Sequence, residues 1–315
     1  MINKNTISKL VFSLIYVLIY SNSYADTFTN DISTHGYISQ TAIHSSSYDF
    51  YSESEDDIGF GHYEAALGVG YEINDWLYFA TQVASRKSGE VYDDDYRVDH
   101  LVLDAEIKNC EKGFFNVRIG RGKIPIGLYN ESRDNPYTRP GIFIPDSVYD
   151  DTRGTRYLYR DLDGVVLSHT HLLDSDILKY SLAYFTSGDV EPSAQFSLFR
   201  NAFIPGELTV NDSTLLDVKY KTNSNTTLGL SYLHTSVDFE SATPFNTDAD
   251  TAIDSLTLSY QHKRHTWSVA SEAVIRQVEV DSLGVDFIDT QRHEVGFYIQ
   301  GDYFITSNLS FYLRY

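Results

Sequence analysis

One cysteine and one methionine occur in 315 residues, and past the first 25 no apolar run approaches the length that would span a membrane as a helix. A lone Cys110 cannot form an internal disulfide, so stability must come from backbone pairing and burial. Roughly 20 consecutive apolar residues are needed for a spanning helix, which excludes a helical membrane protein. Bases are scarce as well. The chain holds 24 Lys and Arg against 44 Asp and Glu, a balance that excludes a nucleic-acid partner. Helical 3.6-residue spacing is scarcely visible anywhere.

What is present points outward from the cell. Lys4 and Lys9 precede the apolar run Leu10 to Tyr20, and the small-residue pattern Ser23-Tyr24-Ala25 follows. That order reads as a secretory signal peptide over 1–25 with cleavage after Ala25. The remainder, 26–315, then carries 22 bases and 44 acids, a net of −22. Tyr (25) and Phe (18) are abundant, which favours strands over helices.

The dominant period is 2. Tyr63, Ala65, Leu67, Val69 and Tyr71 alternate with Glu64, Ala66, Gly68, Gly70 and Glu72, and the pattern recurs around Leu178 to Tyr184 and Leu256 to Tyr260. About thirteen strands can be drawn this way, most near the ~9–11 residues that cross a bilayer at a tilt. Short turns at 74–75, 109–113, 174–176, 223–225, 264–265 and 306–308 alternate with long polar loops. The pattern implies an all-β transmembrane antiparallel β-barrel with a wet, charged lumen and a lipid-facing apolar exterior, rather than a β-sandwich. Trp76, Tyr78, Trp267 and Tyr303 are expected in interfacial aromatic girdles.

The long segment 123–161 departs from the rest. Pro125, Pro136, Pro140 and Pro145 interrupt strand pairing, while Ile124, Ile126, Leu128, Tyr129, Tyr137, Ile142, Phe143 and Ile144 give it too much apolar surface for a solvated loop. It should therefore pack against the barrel interior. Arg118 to Arg160 holds eight bases and five acids, the most basic stretch of a very acidic chain. Folded inward, Arg118, Arg121, Lys123, Arg133, Asp134, Arg139, Asp146 and Arg153 become candidates for a channel constriction. Local pairing, such as Arg133 with Asp134 or Asp146, is the alternative reading. On the wall, Glu64, Glu72, Asp104, Glu106, Lys179 and Lys219 are expected to face the lumen. If Lys108 pairs with Phe114, Asp104 sits opposite Arg118.

The stretch "GRGKIPIGLYNESRDNPYTRPGIFIPDSVY" resembles the signature block of a Gram-negative outer-membrane porin-like family related to the sixteen-stranded porins. The agreement falls at Gly120, Arg121, Lys123, Pro125, Gly127 to Asn130, Arg133, Asp134, Pro136, Thr138 to Pro140, Ile142, Pro145, Ser147 and Tyr149. "HGYISQTAI" and "SRKSGE" extend it, so the resemblance covers about residues 35–160. It implies a passive channel for small hydrophilic solutes in the cell outer membrane, surrounded by lipid and lipopolysaccharide, with a homotrimer by analogy. It also implies about three more strands than the thirteen visible, hence an expectation that the chain is truncated at its C-terminus. The alternatives within and beside transport are an anion-preferring channel and a non-conducting structural or surface-recognition barrel.

Other chemistry is weakly supported. His169 and His171 share a strand face but supply only two ligands, and the acid runs 53–57 and 93–95 lack calcium-loop spacing, so no metal or other cofactor is expected. "GRGKIPIG" is neither a Walker loop nor a dinucleotide fingerprint. No Ser–His or Asp–His pair stands out, and no enzyme activity is expected.

Overall fold

Alternating side chains and β-branched or aromatic residues build most of the described residues into strands. The structure, a computed structural model, describes residues 31–44, 58–88, 96–110, 112–149, 162–186, 188–190, 198–199, 204–242, 248–283, 288–306 and 309–315. The expected signal peptide, both acid runs and Arg153 lie outside these residues. The strands are β1 (Ile32–His44), β2 (Ile58–Asn74), β3 (Leu77–Ser88), β4 (Arg97–Cys110), β5 (Gly113–Gly122), β6 (Leu162–Leu173), β7 (Asp176–Thr186), β8 (Gly188–Val190), β9 (Gly206–Lys221), β10 (Thr226–Ser241), β11 (Ala249–Lys263), β12 (Trp267–Leu283), β13 (Ile288–Thr306) and β14 (Leu309–Arg314). Thirteen of them follow one another in a single antiparallel sheet, and the three-residue β8 pairs beside β9. The count and the short-turn positions agree with the sequence reading.

The turns have local causes. Asp174 (φ 43°) and Asn225 (φ 62°) adopt the left-handed region that Asp and Asn tolerate, closing β6 to β7 and β9 to β10. Gly120 in β5 has φ 121°, and a Cβ there would lie 2.2 Å from the Leu101 carbonyl oxygen. Only glycine fits that bend.

Curvature is shown by what the segment after β5 touches. It reaches Glu64 on β2, Asp99 on β4, Ser231 on β10, Glu272 on β12 and Arg314 on β14. One segment in contact with the inward faces of strands from both ends of the sheet means that the sheet wraps around it. Among the described residues β1 and β14 do not pair with each other.

The strands change polarity along their length. In β10, Leu228, Leu230 and Tyr232 face out and are exposed, whereas Leu233, Val237 and Phe239 face in and are buried. The same phase change occurs in β9, β11 and β12. Register aligns it: Leu216, Tyr232, Leu256, Ile275 and Val295 form one outward apolar rung, and Thr214, His234, Asp254, Gln277 and His293 form the next outward rung. At the border the Tyr232 hydroxyl donates to Asp254 at 2.5 Å, and His234 lies 3.0 Å from the same carboxylate. On β12 the apolar exterior runs from Trp267 to Ile275, within the ~9–11 residues that a tilted strand needs to cross a bilayer. Beyond it the exterior is polar and the interior is an apolar cluster that includes Phe185, Leu208, Phe239, Ile253 and Val278.

This overturns the expectation of a polar inward face throughout. Outside the bilayer, water lies on the exterior, so apolar groups gain by turning inward. Tyr78 is a second correction, since it shares the inward face with Ala80 and Gln82 and packs over Gly70 rather than in a girdle. Trp267 and Tyr303 are exposed cross-strand neighbours at the short-turn end, as a girdle requires.

Candidate functional site

Residues 123–149 carry the inward segment across the lumen. After Lys123 the chain runs through Ile124 and Ile126 into the apolar cluster, and Gly127 turns it with φ 60°. A Cβ on Gly127 would meet the Tyr149 hydroxyl at 2.6 Å and Glu272 Oε1 at 2.7 Å, so a side chain here would push the segment off the wall. A 3-10 turn (Asn130–Ser132) and a one-turn helix (Asp146–Tyr149) follow.

Glu272 on β12 is the anchor. Its buried carboxylate accepts from Ser259 Oγ (2.6 Å), Tyr149 Oη (2.6 Å), Tyr298 Oη (2.8 Å) and the Leu128 backbone N–H (2.9 Å). Burial and this carboxylate push the Tyr149 hydroxyl well above its ordinary pKa, so it remains a donor. Gln261 donates to Tyr129 Oη at 2.9 Å, Ser147 Oγ to the Phe297 carbonyl at 2.9 Å, and Arg276 to the Val148 carbonyl. Arg314 on β14 donates to the carbonyls of Pro140 (2.6 Å) and Phe143 (2.9 Å).

The opposite wall grips through charge. Arg139 forks onto Glu64, with Nη1 to Oε1 at 2.9 Å and Nη2 to Oε2, while Arg86 Nε lies 3.1 Å from Oε1. Lys123 bridges Asp99 (2.9 Å) and Asp134 (2.5 Å), and Arg97 reaches both of those carboxylates at 3.4 and 3.3 Å. Buried pairs of this kind fix geometry, and each is costly to break from one side. Asp99 was invisible to strand alternation, which groups it with Leu101 and Leu103. Gln82 pairs with His100 but Val83 with Val98, so Asp99 is the extra residue of a bulge that re-aims it inward.

Between the segment and the wall of β5 to β7 lies a cavity of about 260 Å³ lined by Arg118, Glu131, Lys179, Ser168, Thr170 and Ser181 among others. Asp104 sits opposite Arg118 as the pairing predicted, and Arg118 Nε lies 3.0 and 3.1 Å from its two oxygens. Glu131, on the 3-10 turn, is 3.6 Å from Lys219 Nζ and 3.9 Å from Arg118 Nη1. Burial alone would raise its pKa, but Lys219, Lys179 and Arg118 outweigh that and hold the carboxyl below the ordinary range. Its contribution is therefore present above the unfolded pKa and lost only as pH falls through the lowered folded value. Lys219 also contacts Asp217 (3.5 Å) and donates to the Pro125 carbonyl (3.3 Å).

The candidate constriction residues thus separate by position. Arg118 opens on the cavity; Lys123, Arg133, Asp134 and Arg139 are buried as fasteners, with Arg133 donating to Asn130 at 2.7 Å. Arg121 is a correction: β5 continues to Gly122, so residue 121 stays in phase with the exposed Ile119 and faces outward, where it forks onto Asp163 at 2.8 and 2.5 Å. Asp146 starts the one-turn helix. Of the wall set, Glu64 is a buried fastener, Asp104, Lys179 and Lys219 reach the cavity region, and Glu72 and Glu106 are exposed near the short-turn end. His169 shares the outward face with His171 and stacks on Phe115 at 4.3 Å, and no metal-holding cluster occurs among the described residues.

No protein-family model and no curated protein matches the chain. Several solved structures are similar to it. A loop L8 deletion mutant of OmpT, an outer membrane protein of Vibrio cholerae, has a TM-score of 0.48 at 14% identity over 91% of this chain and 93% of that one. Salmonella typhi OmpF in complex with daunomycin gives 0.42 at 12% identity, over 90% and 89% of the two chains. A mutant of the Rh. blastica porin gives 0.35 at 11% identity, over 90% and 93%.

Proposed function

We propose that this chain forms a porin-like channel of the outer membrane through which small hydrophilic solutes diffuse passively, without a chemical reaction. The observation that carries the reading is the polar cavity of about 260 Å³ held between the inward segment and the wall of β5 to β7, inside a sheet whose exterior is apolar. Charged and hydroxyl side chains facing a space within such a band suit a water-filled path. The apolar cluster is drawn mainly from β7 to β12, with Val166 of β6 at its border with the cavity, so the path runs off-centre along the other wall. Lipid and lipopolysaccharide would cover the apolar exterior, with the long loops outward and the short turns in the periplasm.

Charge along this path is nearly balanced. Arg118, Lys179 and Lys219 face Glu131, Asp104 and Asp217, three cations against three carboxylates. The expected result in a planar bilayer is a steady current whose reversal potential in a salt gradient lies close to zero. Strong anion preference would instead support selection by Arg121, Lys123, Arg133 and Arg139, a reading that their burial or outward position disfavours. A folded protein that passes no current would sink both and leave a non-conducting structural barrel.

A further inference from the structure

We propose that the wall of the path carries a carboxylate-binding site made by Lys179, Lys219 and Arg118, and that Glu131 occupies it as a tethered ligand which a permeating solute carboxylate displaces. The inference rests on the channel reading and names its solute class as small carboxylates.

Lys179 and Lys219 are direct cross-strand partners on β7 and β9 and face the same side. Two ammonium groups so placed repel each other unless an anion lies between them. Lys219 has Asp217 and Arg118 has Asp104, but Lys179 makes no hydrogen bond and no ion pair within 4 Å among the described residues. Its attraction is to Glu131, which is also what Lys219 and Arg118 share. The carboxylate therefore sits where three cations converge.

Two further features mark this as a site rather than a fixed ion pair. The contacts of Glu131 at 3.6 and 3.9 Å are longer than hydrogen bonds, unlike the four donors within 2.9 Å on Glu272. A loosely held carboxylate can be exchanged. Ser181 Oγ lines the same cavity, is almost fully buried and has no hydrogen-bond partner. A buried hydroxyl left as an unused donor in a cavity shared with Arg118 and Lys179 suits an oxyanion. No covalent step is involved, since one carboxylate simply replaces another.

The test uses the full chain in planar bilayers with a potassium acetate gradient. Glu131→Gln should raise the acetate-to-potassium permeability ratio about fivefold, the size of one partly screened ion pair, and adding Lys179→Gln should return it to the starting value. A ratio unchanged in Glu131→Gln, or a gain that survives Lys179→Gln, overturns the site while leaving the channel intact. Absence of current would overturn the channel, and amine acylation of the refolded protein then decides the site alone. In Glu131→Gln protein, citrate should slow acylation of Lys179 several-fold relative to Lys221 at the short-turn end. Equal slowing of the two lysines, or none, overturns the proposal.

Discussion

Glu272→Ala is expected to lower the stability of the folded barrel by about 3–5 kcal/mol, because it strands several buried donors at about 1–3 kcal/mol each, and to raise the conductance of the protein that still folds. The donors are Ser259 Oγ, Tyr149 Oη, Tyr298 Oη and the Leu128 N–H, all converging on one carboxylate. Two of them belong to the inward segment, so the loss falls on the contact that keeps this segment against β12. Glu272→Gln should be intermediate, since its amide nitrogen presents donors to donors. Urea unfolding in phospholipid vesicles, followed by the fluorescence of Trp76 and Trp267, reads the stability change. An unfolding midpoint unmoved by Glu272→Ala would show that the segment is held elsewhere.

The second large effect is expected at Arg139. Arg139→Met leaves Glu64 buried with Arg86 and His62 but without its forked partner, and a loss of about 3 kcal/mol follows from breaking a buried pair on one side. The consequence should spread further than the pair. Residues 134–143 touch β1 through the Tyr37 hydroxyl and the Asp134 carbonyl, β2 through Glu64, and β14 through Arg314. The segment is thus a strut between the first and last strands of the sheet. Faster amide hydrogen exchange in β14 is expected in Arg139→Met, together with strong non-additivity when Glu64→Gln is combined with it. Energies that add within about 0.5 kcal/mol would mean that the two side chains act independently.

The strand content was legible because period-2 alternation runs through most of each strand, and five of the six short turns carry Asn, Asp or Gly residues, the exception being Arg264-His265. The phase of that alternation was not. In β10 the apolar residues move from even positions (Leu228, Leu230, Tyr232) to odd ones (Leu233, Val237, Phe239), and two adjacent apolar residues at Tyr232-Leu233 are the whole local signal. A strand that leaves the bilayer exchanges its outer solvent from lipid to water, and nothing in the alternation itself records where this happens. The bulge at Asp99 is a similar blind spot, because one extra residue flips a carboxylate onto the other face. Arg121 was a further miss, grouped with the inward basic residues although it stays in phase with the outward Ile119. Lys123, Arg133 and Arg139 do lie inward, but the burial of Lys123 against Asp99 and of Arg139 against Glu64 depends on strands 24 and 75 residues away in the chain. Only Asp104 with Arg118 lay close enough across a short turn for pairing to be counted.

The central claim is that an off-centre path runs between the inward segment and the wall of β5 to β7, and accessibility of single cysteines to a thiol reagent tests it most directly. Cys110→Ser provides the background. Ser168→Cys places a thiol in the cavity, and Thr235→Cys places one on the fully buried inward face of β10, between Leu233 and Val237. A water-soluble methanethiosulfonate should cut the current through Ser168→Cys and leave Thr235→Cys unaffected. Block at Thr235→Cys without block at Ser168→Cys would contradict the account.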